Sequence, residues 1–155
     1  MPDATRSLES ISLIALIRTA RLTYGRAMRA ALVDVGCDDI PSNGMFVIGA
    51  IGRDGAPLSE IIRGLGVSKQ AAGQLIDTLV LRGYVERDTD PQDRRCLTLK
   101  LTERGLDAAA AQGAAIDRLD VDLLTRVGAD HIAGTRETLA ALIFHNREPQ
   151  AAAQA

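Results

Sequence analysis

Between residues 8 and 35 apolar side chains recur every three or four positions, at Leu13, Leu16, Ile17, Ala20, Tyr24, Ala27, Met28, Ala31 and Val35. That period predicts one long amphipathic helix with a single apolar face. At 100° per residue the opposite side gathers Arg18, Arg21, Arg26 and Arg29 into a basic stripe. Such a stripe can be a solvated face, a contact for phosphate or an acidic ligand, or a pairing surface for another subunit. Gly36 fits a C-terminal cap, Cys37-Asp38-Asp39-Ile40-Pro41 a connector, and Ser42 the N-cap of a strongly apolar second helix with Met45, Phe46, Ile48 and Ile51. Gly52-Arg53-Asp54-Gly55 then turns the chain toward Pro57, at the start of a third helix.

In that third helix Leu58, Ile61, Ile62 and Leu65 make the inner face. Gly66 permits a left-handed turn, Val67 is expected to plug the angle between helices, and Ser68 to cap a fourth helix ending at Gly83. Ala72, Leu75, Ile76, Leu79 and Val80 form its buried stripe, so Gln70, Gly73, Gln74 and Asp77 face outward. Gly73 inside a helix suggests close approach, either to DNA or to a neighbouring helix.

After Gly83 the period changes from 3.6 to 2, predicting strands over 84–87 and 96–101 joined by the charged turn 88–95. Thr102 is the expected N-cap of a long helix that has a weak point at Gly113 and ends at Gly128. A last helix runs from about Ala129 to His145, with Ile132, Leu139, Leu142 and Ile143 on one side. The expected fold class is mostly α with a small β-hairpin wing. A winged helix-turn-helix over 42–102 is flanked by helical dimerisation regions at 1–41 and 103–147, and 148–155 is expected to be a disordered tail. The broad apolar faces of the terminal helices need a partner surface, either a second copy across a two-fold axis or an intrachain bundle.

Composition narrows the chemistry. The chain has 155 residues, 46% hydrophobic, enough for a proper core. Aromatic content of 3%, with no Trp, argues against stacking platforms for single-stranded nucleic acid and leaves duplex as the form to be read. A net charge of −2 supplies no global basic field, so any footprint on DNA must be local. Gln70 and Gln74 can offer paired donor and acceptor groups to adenine in a major groove, and Lys69 can reach guanine or phosphate. Arg94 and Arg95 on the hairpin can track phosphates or enter a narrow minor groove. Asp93, two positions from Arg95 on an extended strand, is placed to hold that guanidinium.

Cys37 and Cys96 give neither a disulfide framework nor a zinc spacing, and His131 and His145 stand apart. No metal and no cofactor are expected. No apolar run reaches the roughly 18 residues of a membrane span, and the start, with Asp3 and Glu9, does not read as a secretory signal. A soluble, cytoplasmic protein is expected. No acid-base pair, activated nucleophile or glycine-rich phosphate loop emerges, so the chain does not read as an enzyme.

Leu58-Ser59-Glu60-Ile61-Ile62, Gly66-Val67-Ser68-Lys69-Gln70, Arg82-Gly83-Tyr84, Asp90-Pro91-Gln92-Asp93-Arg94-Arg95 and Leu99-Lys100-Leu101-Thr102-Glu103-Arg104-Gly105 stand in an order and spacing that resemble the MarR (multiple-antibiotic-resistance regulator) family. The recognisable part covers about residues 42 to 105, and the flanking helices agree in pattern only. The resemblance implies a homodimer that binds a pseudo-palindromic operator in double-stranded DNA. Ser68, Lys69, Gln70 and Gln74 then fall on the recognition helix, and Asp93, Arg94 and Arg95 on the wing.

It further implies a transcriptional repressor responsive to a small-molecule effector. The first helix lacks the early reactive cysteine of the family's peroxide-sensing branch. Cys96, beside Arg94 and Arg95, is either a wing-located redox sensor or an ordinary exposed cysteine. The alternative function is a winged-helix protein-interaction module without sequence-specific DNA binding, which the acidic net charge would suit.

Overall fold

The computed structural model describes residues 10–52, 55–89 and 97–145. Along them run α1 (Leu13–Asp34), α2 (Ser42–Ile51), β1 (Ala56–Pro57), α3 (Leu58–Leu65), α4 (Lys69–Leu81), β2 (Val85–Thr89), β3 (Leu97–Leu101), α5 (Glu103–Val127) and α6 (Ala129–His145). The class is the expected one: six helices with a small antiparallel sheet among the described residues. The chain divides into two compact units, 1–116 and 117–155.

α1 begins at Leu13 and not at residue 8, because Ser12 is extended and its carbonyl accepts the first helical N–H groups, from Ala15 at 3.0 Å and Leu16 at 3.2 Å. Its end is closed by a Schellman motif around Gly36, whose φ of 73° only glycine adopts freely. The Gly36 N–H reaches the Val33 carbonyl at 3.1 Å and the Cys37 N–H reaches Leu32 at 2.8 Å. α4 ends in the same way around Gly83, with Gly83 N–H on Val80 at 3.0 Å and Tyr84 N–H on Leu79 at 2.9 Å. Both motifs drive the next residue inward: Cys37 and Tyr84 are buried. The N-cap position of α2 is Pro41, with Ser42 already helical, a correction to the sequence expectation. Proline has no N–H to satisfy there, and its carbonyl accepts from Gly44 at 2.8 Å.

The first unit has one apolar core. Met28 and Leu32 from α1, Val47, Ile48 and Ile51 from α2, Ile61 from α3, Ile76 and Leu79 from α4, and Tyr84, Val85 and Leu99 from the sheet region all belong to it. Val67 does not plug the helix angle; it is 41% exposed. The sheet has three strands in the order β1-β3-β2, one more than the alternation along the chain suggests. The extra strand is two residues long, with Ala56 opposite Leu99 and Pro57 opposite Thr98, too short to carry a period of its own. β2 and β3 pair from Val85 opposite Leu101 to Thr89 opposite Leu97.

Thr102 caps α5 as expected: its hydroxyl accepts from the Gly105 N–H at 3.1 Å and donates to the Gly83 carbonyl at 2.6 Å. Gly113 leaves α5 unbroken. The second unit holds the last turns of α5 and all of α6, separated by Gly128 with φ 82°. Leu123, Leu124 and Val127 on α5 and Leu142 and Ile143 on α6 are exposed.

Candidate nucleic-acid interface

The site is built on the turn between α3 and α4. Gly66 takes up a left-handed conformation with φ 63°, which reverses the chain within one residue. Ser68 is extended, and its hydroxyl oxygen accepts from the Ala71 N–H at 3.2 Å, holding the first turn of α4 open toward solvent. Ala72, Ile76 and Leu79 are fully buried on the inner face of α4. On the other side Ser68, Lys69, Gln70 and Gln74 are all exposed, so every residue expected on the recognition helix reaches solvent. Gln70, Gln74 and Asp77 repeat at four and three residues and form one row. Nothing lies within 4 Å of where a Gly73 Cβ would stand, so packing against a neighbouring helix does not explain that glycine. The open space beside it belongs to the outer face.

Asp77 has a different part from its neighbours. Its carboxylate accepts from Arg87 Nη2, which ties α4 to strand β2 and neutralises the acid in the row. Both side chains are more than a third exposed, so the pair contributes well under 1 kcal/mol and acts mainly on geometry. On the stem of the wing Lys100 donates to Asp88 across the strands, holding the Asp88 carboxyl below its ordinary range and the Lys100 ammonium above it. The wing residues Asp93, Arg94 and Arg95, and Cys96 beside them, lie outside the described residues.

A second cluster fixes the C-terminal end of α4, and sequence reasoning missed it. The Tyr84 hydroxyl donates to Asp39 Oδ1, to which Arg104 Nη2 also donates at 3.1 Å. The same guanidinium donates through Nη1 to the Arg82 carbonyl at 2.6 Å and lies 4.2 Å over the Tyr84 ring. Asp39 of the α1–α2 connector, the last turn of α4 and the first turn of α5 thus meet at one carboxylate. The only signal along the chain is indirect: two glycine caps deliver Cys37 and Tyr84 inward, bringing Asp39 within reach. Burial, then the bond to Asp39, pushes the Tyr84 phenol well above its usual pKa. The phenol O–H and Arg104 in turn hold the Asp39 carboxyl below its ordinary range.

A carboxylate with a lowered folded pKa stabilises fully above its unfolded value and loses that contribution as pH falls through the folded one. The stability advantage of the wild type over Asp39→Asn is therefore expected to shrink below about pH 4, read from urea midpoints at matched pH. Midpoints that keep a constant separation on acidification would remove the ionised carboxylate from this cluster.

Among the described residues no group of three or more His, Cys, Asp and Glu side chains converges as a metal site. No described helix is long and apolar enough to cross a membrane.

The geometry has counterparts among known proteins. A family model described as the MarR family matches residues 39–95. The transcriptional repressor MprA of Escherichia coli (strain K12) is 47% identical over 47 residues, 30% of this chain. The match spans 27% of that relative's own length. The crystal structure of S. aureus MepR in DNA-binding conformation superposes with a TM-score of 0.71 at 18% identity, over 86% of this chain and 97% of that one. A mutant MarR from E. coli complexed with operator DNA gives a TM-score of 0.65 at 26% identity, over 86% and 95%. The sequence signature, the capped helix pair and the three-stranded sheet are all similar to those of MarR-family winged-helix proteins.

Proposed function

We propose that the chain is a transcriptional regulator that binds a pseudo-palindromic operator in duplex DNA as a homodimer and acts as a ligand-responsive repressor in the cytoplasm. The observation that carries this reading is the exposed row on α4. Lys69, Gln70 and Gln74 stand on a rigidly capped helix N-terminus, and the one acid in the row, Asp77, is already paired. Amide side chains can offer a donor and an acceptor to an adenine edge, while the helix N-terminus and Lys69 favour phosphate. MepR in a DNA-binding conformation and MarR on its operator, among the structures superposed above, support DNA binding as a use of this fold. The role is binding and not catalysis.

The homodimer reading draws on apolar surface. Leu13, Ile14 and Leu16 on α1, and Leu123, Leu124, Leu142 and Ile143 on α5 and α6, are all at least 40% exposed. A second copy related by a two-fold axis offers an equivalent surface to cover them. In this arrangement residues 1–41 and 103–147 carry dimerisation and 42–102 carry DNA binding, with Asp93 supporting Arg94 and Arg95 on the wing.

Fluorescence anisotropy on duplex from upstream of the chain's own gene, against scrambled duplex, tests the reading across a salt series. Preferential binding is expected, with affinity for the upstream duplex falling at least about a thousandfold between 50 and 200 mM salt if six or more phosphates are contacted. A flat salt response with a stable protein partner would replace it with an interaction module.

A further inference from the structure

The arginine stripe of α1 is largely exposed, and it borders a groove. Arg18, Arg21, Arg26 and Arg29 line a groove of about 570 Å³ closed on its other side by Phe46, Met45 and the start of α2. No acidic residue lines it among the described residues, and none of its arginines pairs with a described acid. Four positive charges thus surround an apolar floor that no described acidic side chain lines. The volume falls within the range of sites for small ligands.

Spacing along the helix shapes the ligand. Arg18, Leu22, Gly25 and Arg29 follow one another at four, three and four residues and so lie on one line of α1. The line is charged at both ends, apolar between, and roughly 16 Å long at 1.5 Å per residue. No single carboxylate spans both ends. Gly25 sits at its middle, and a Cβ there would meet nothing within 4 Å, so the missing side chain leaves room above the helix. Arg21 lies 4.6 Å over the Phe46 ring, fixing an aromatic wall along the apolar stretch.

We propose that this groove is a binding site for an elongated organic dianion, with an acid group at each end and an apolar body between. Arg18 and Arg29 hold the two ends, and Leu22, Met45 and Phe46 take the body. Arg29 is also tied into the protein: its Nη1 donates to the carbonyls of Ile40 at 2.6 Å and Asp38 at 3.3 Å. Those two residues bracket Asp39, the carboxylate that holds Tyr84 and Arg104 at the C-terminal end of α4. An anion drawing on Arg29 therefore acts on the connector that positions α4. This consequence rests on the regulator reading; the binding site itself does not.

Titration calorimetry on the full chain tests the site without DNA, with decanedioate as the probe and decanoate and 1,10-decanediol for comparison. Decanedioate is expected to bind about tenfold more tightly than decanoate, one ion pair's worth, with no detectable heat from the diol. Arg18→Gln, an exposed change, should bring the diacid down to the monoacid's affinity. Gly25→Leu should fill the groove and abolish binding while leaving the melting temperature equal or higher, since glycine is a poor helix former. Equal affinities for diacid and monoacid, wild-type binding by Gly25→Leu, or no binding of decanedioate at millimolar concentration would each overturn the proposal.

In the anisotropy assay decanedioate should shift duplex affinity for the wild type and not for Gly25→Leu. Binding of both ligands without mutual effect removes the Arg29 link. A chain that binds decanedioate but no duplex keeps the groove and loses the regulator reading, and the converse result keeps the regulator and loses the groove.

Discussion

Replacing Gly105 by alanine is expected to destabilise the fold by about 3 kcal/mol, the upper range for inserting a methyl group into a packed interior. A Cβ at this position would stand 2.0 Å from the Tyr84 carbonyl oxygen, 3.1 Å from its carbon and 3.2 Å from the Leu101 Cβ. Two of these three atoms are backbone and cannot rotate away. Nor can the backbone yield cheaply, since the Tyr84 carbonyl accepts from the Thr102 N–H at 3.1 Å and Thr102 caps α5. The first turn of α5 would have to lift off the segment that follows α4. In urea the midpoint should fall with the slope unchanged, and the melting temperature should drop by roughly 10 °C for a chain of this size. Gly73→Ala is the matched control, because its added methyl meets nothing within 4 Å. It should be neutral or stabilising by up to about 1 kcal/mol. A wild-type midpoint for Gly105→Ala would mean that α5 does not approach the Tyr84 backbone so closely.

Lys69→Ala and Gln74→Ala should both fold as the wild type does, because both side chains are exposed and neither caps the helix. Their effects on DNA are expected to differ in kind. Lys69 supplies a charge, so its loss should weaken binding to all duplexes alike and flatten the salt slope by about one unit per half-site. Gln74 supplies a paired donor and acceptor, so its loss should cost about 1–3 kcal/mol per half-site on the preferred sequence and little on scrambled duplex. Because the proposed symmetric dimer would carry each change twice, the Gln74→Ala loss should reach at least about thirtyfold, read as the ratio of affinities for the two duplexes. Undiminished discrimination by Gln74→Ala would take base reading away from this residue.

The helix pair was legible because its signals are local. Leu58, Ile61, Leu65, Ala72, Ile76 and Leu79 keep the helical period, and Gly66 and Ser68 mark the turn between. Both marks are observed, as a left-handed residue and as a side-chain cap. The cluster of Asp39, Tyr84 and Arg104 was not legible, since its members lie 45 and 65 residues from Asp39 and are joined only after the chain folds. For the same reason a helical wheel set the arginine stripe opposite the apolar face of α1 yet gave no hint that α2 would wall one side of a groove beside it. Asp77 does face outward in the α4 row, but its pairing was hidden because Arg87 sits on a strand whose angle to the helix no periodicity specifies. Cys37, a connector residue by its neighbours in the chain, is buried by the glycine cap that precedes it.

The small sheet also limits how copies of this protein can stick together. One of its edges is the two-residue β1, half of it a proline with no N–H to offer another strand. The other edge, β2, carries Glu86, Arg87 and Asp88 in succession, charges that resist stacking against a neighbouring strand. Neither border is a usable template for runaway β-addition, so crowding many copies of the chain carries little risk of fibre growth through this sheet.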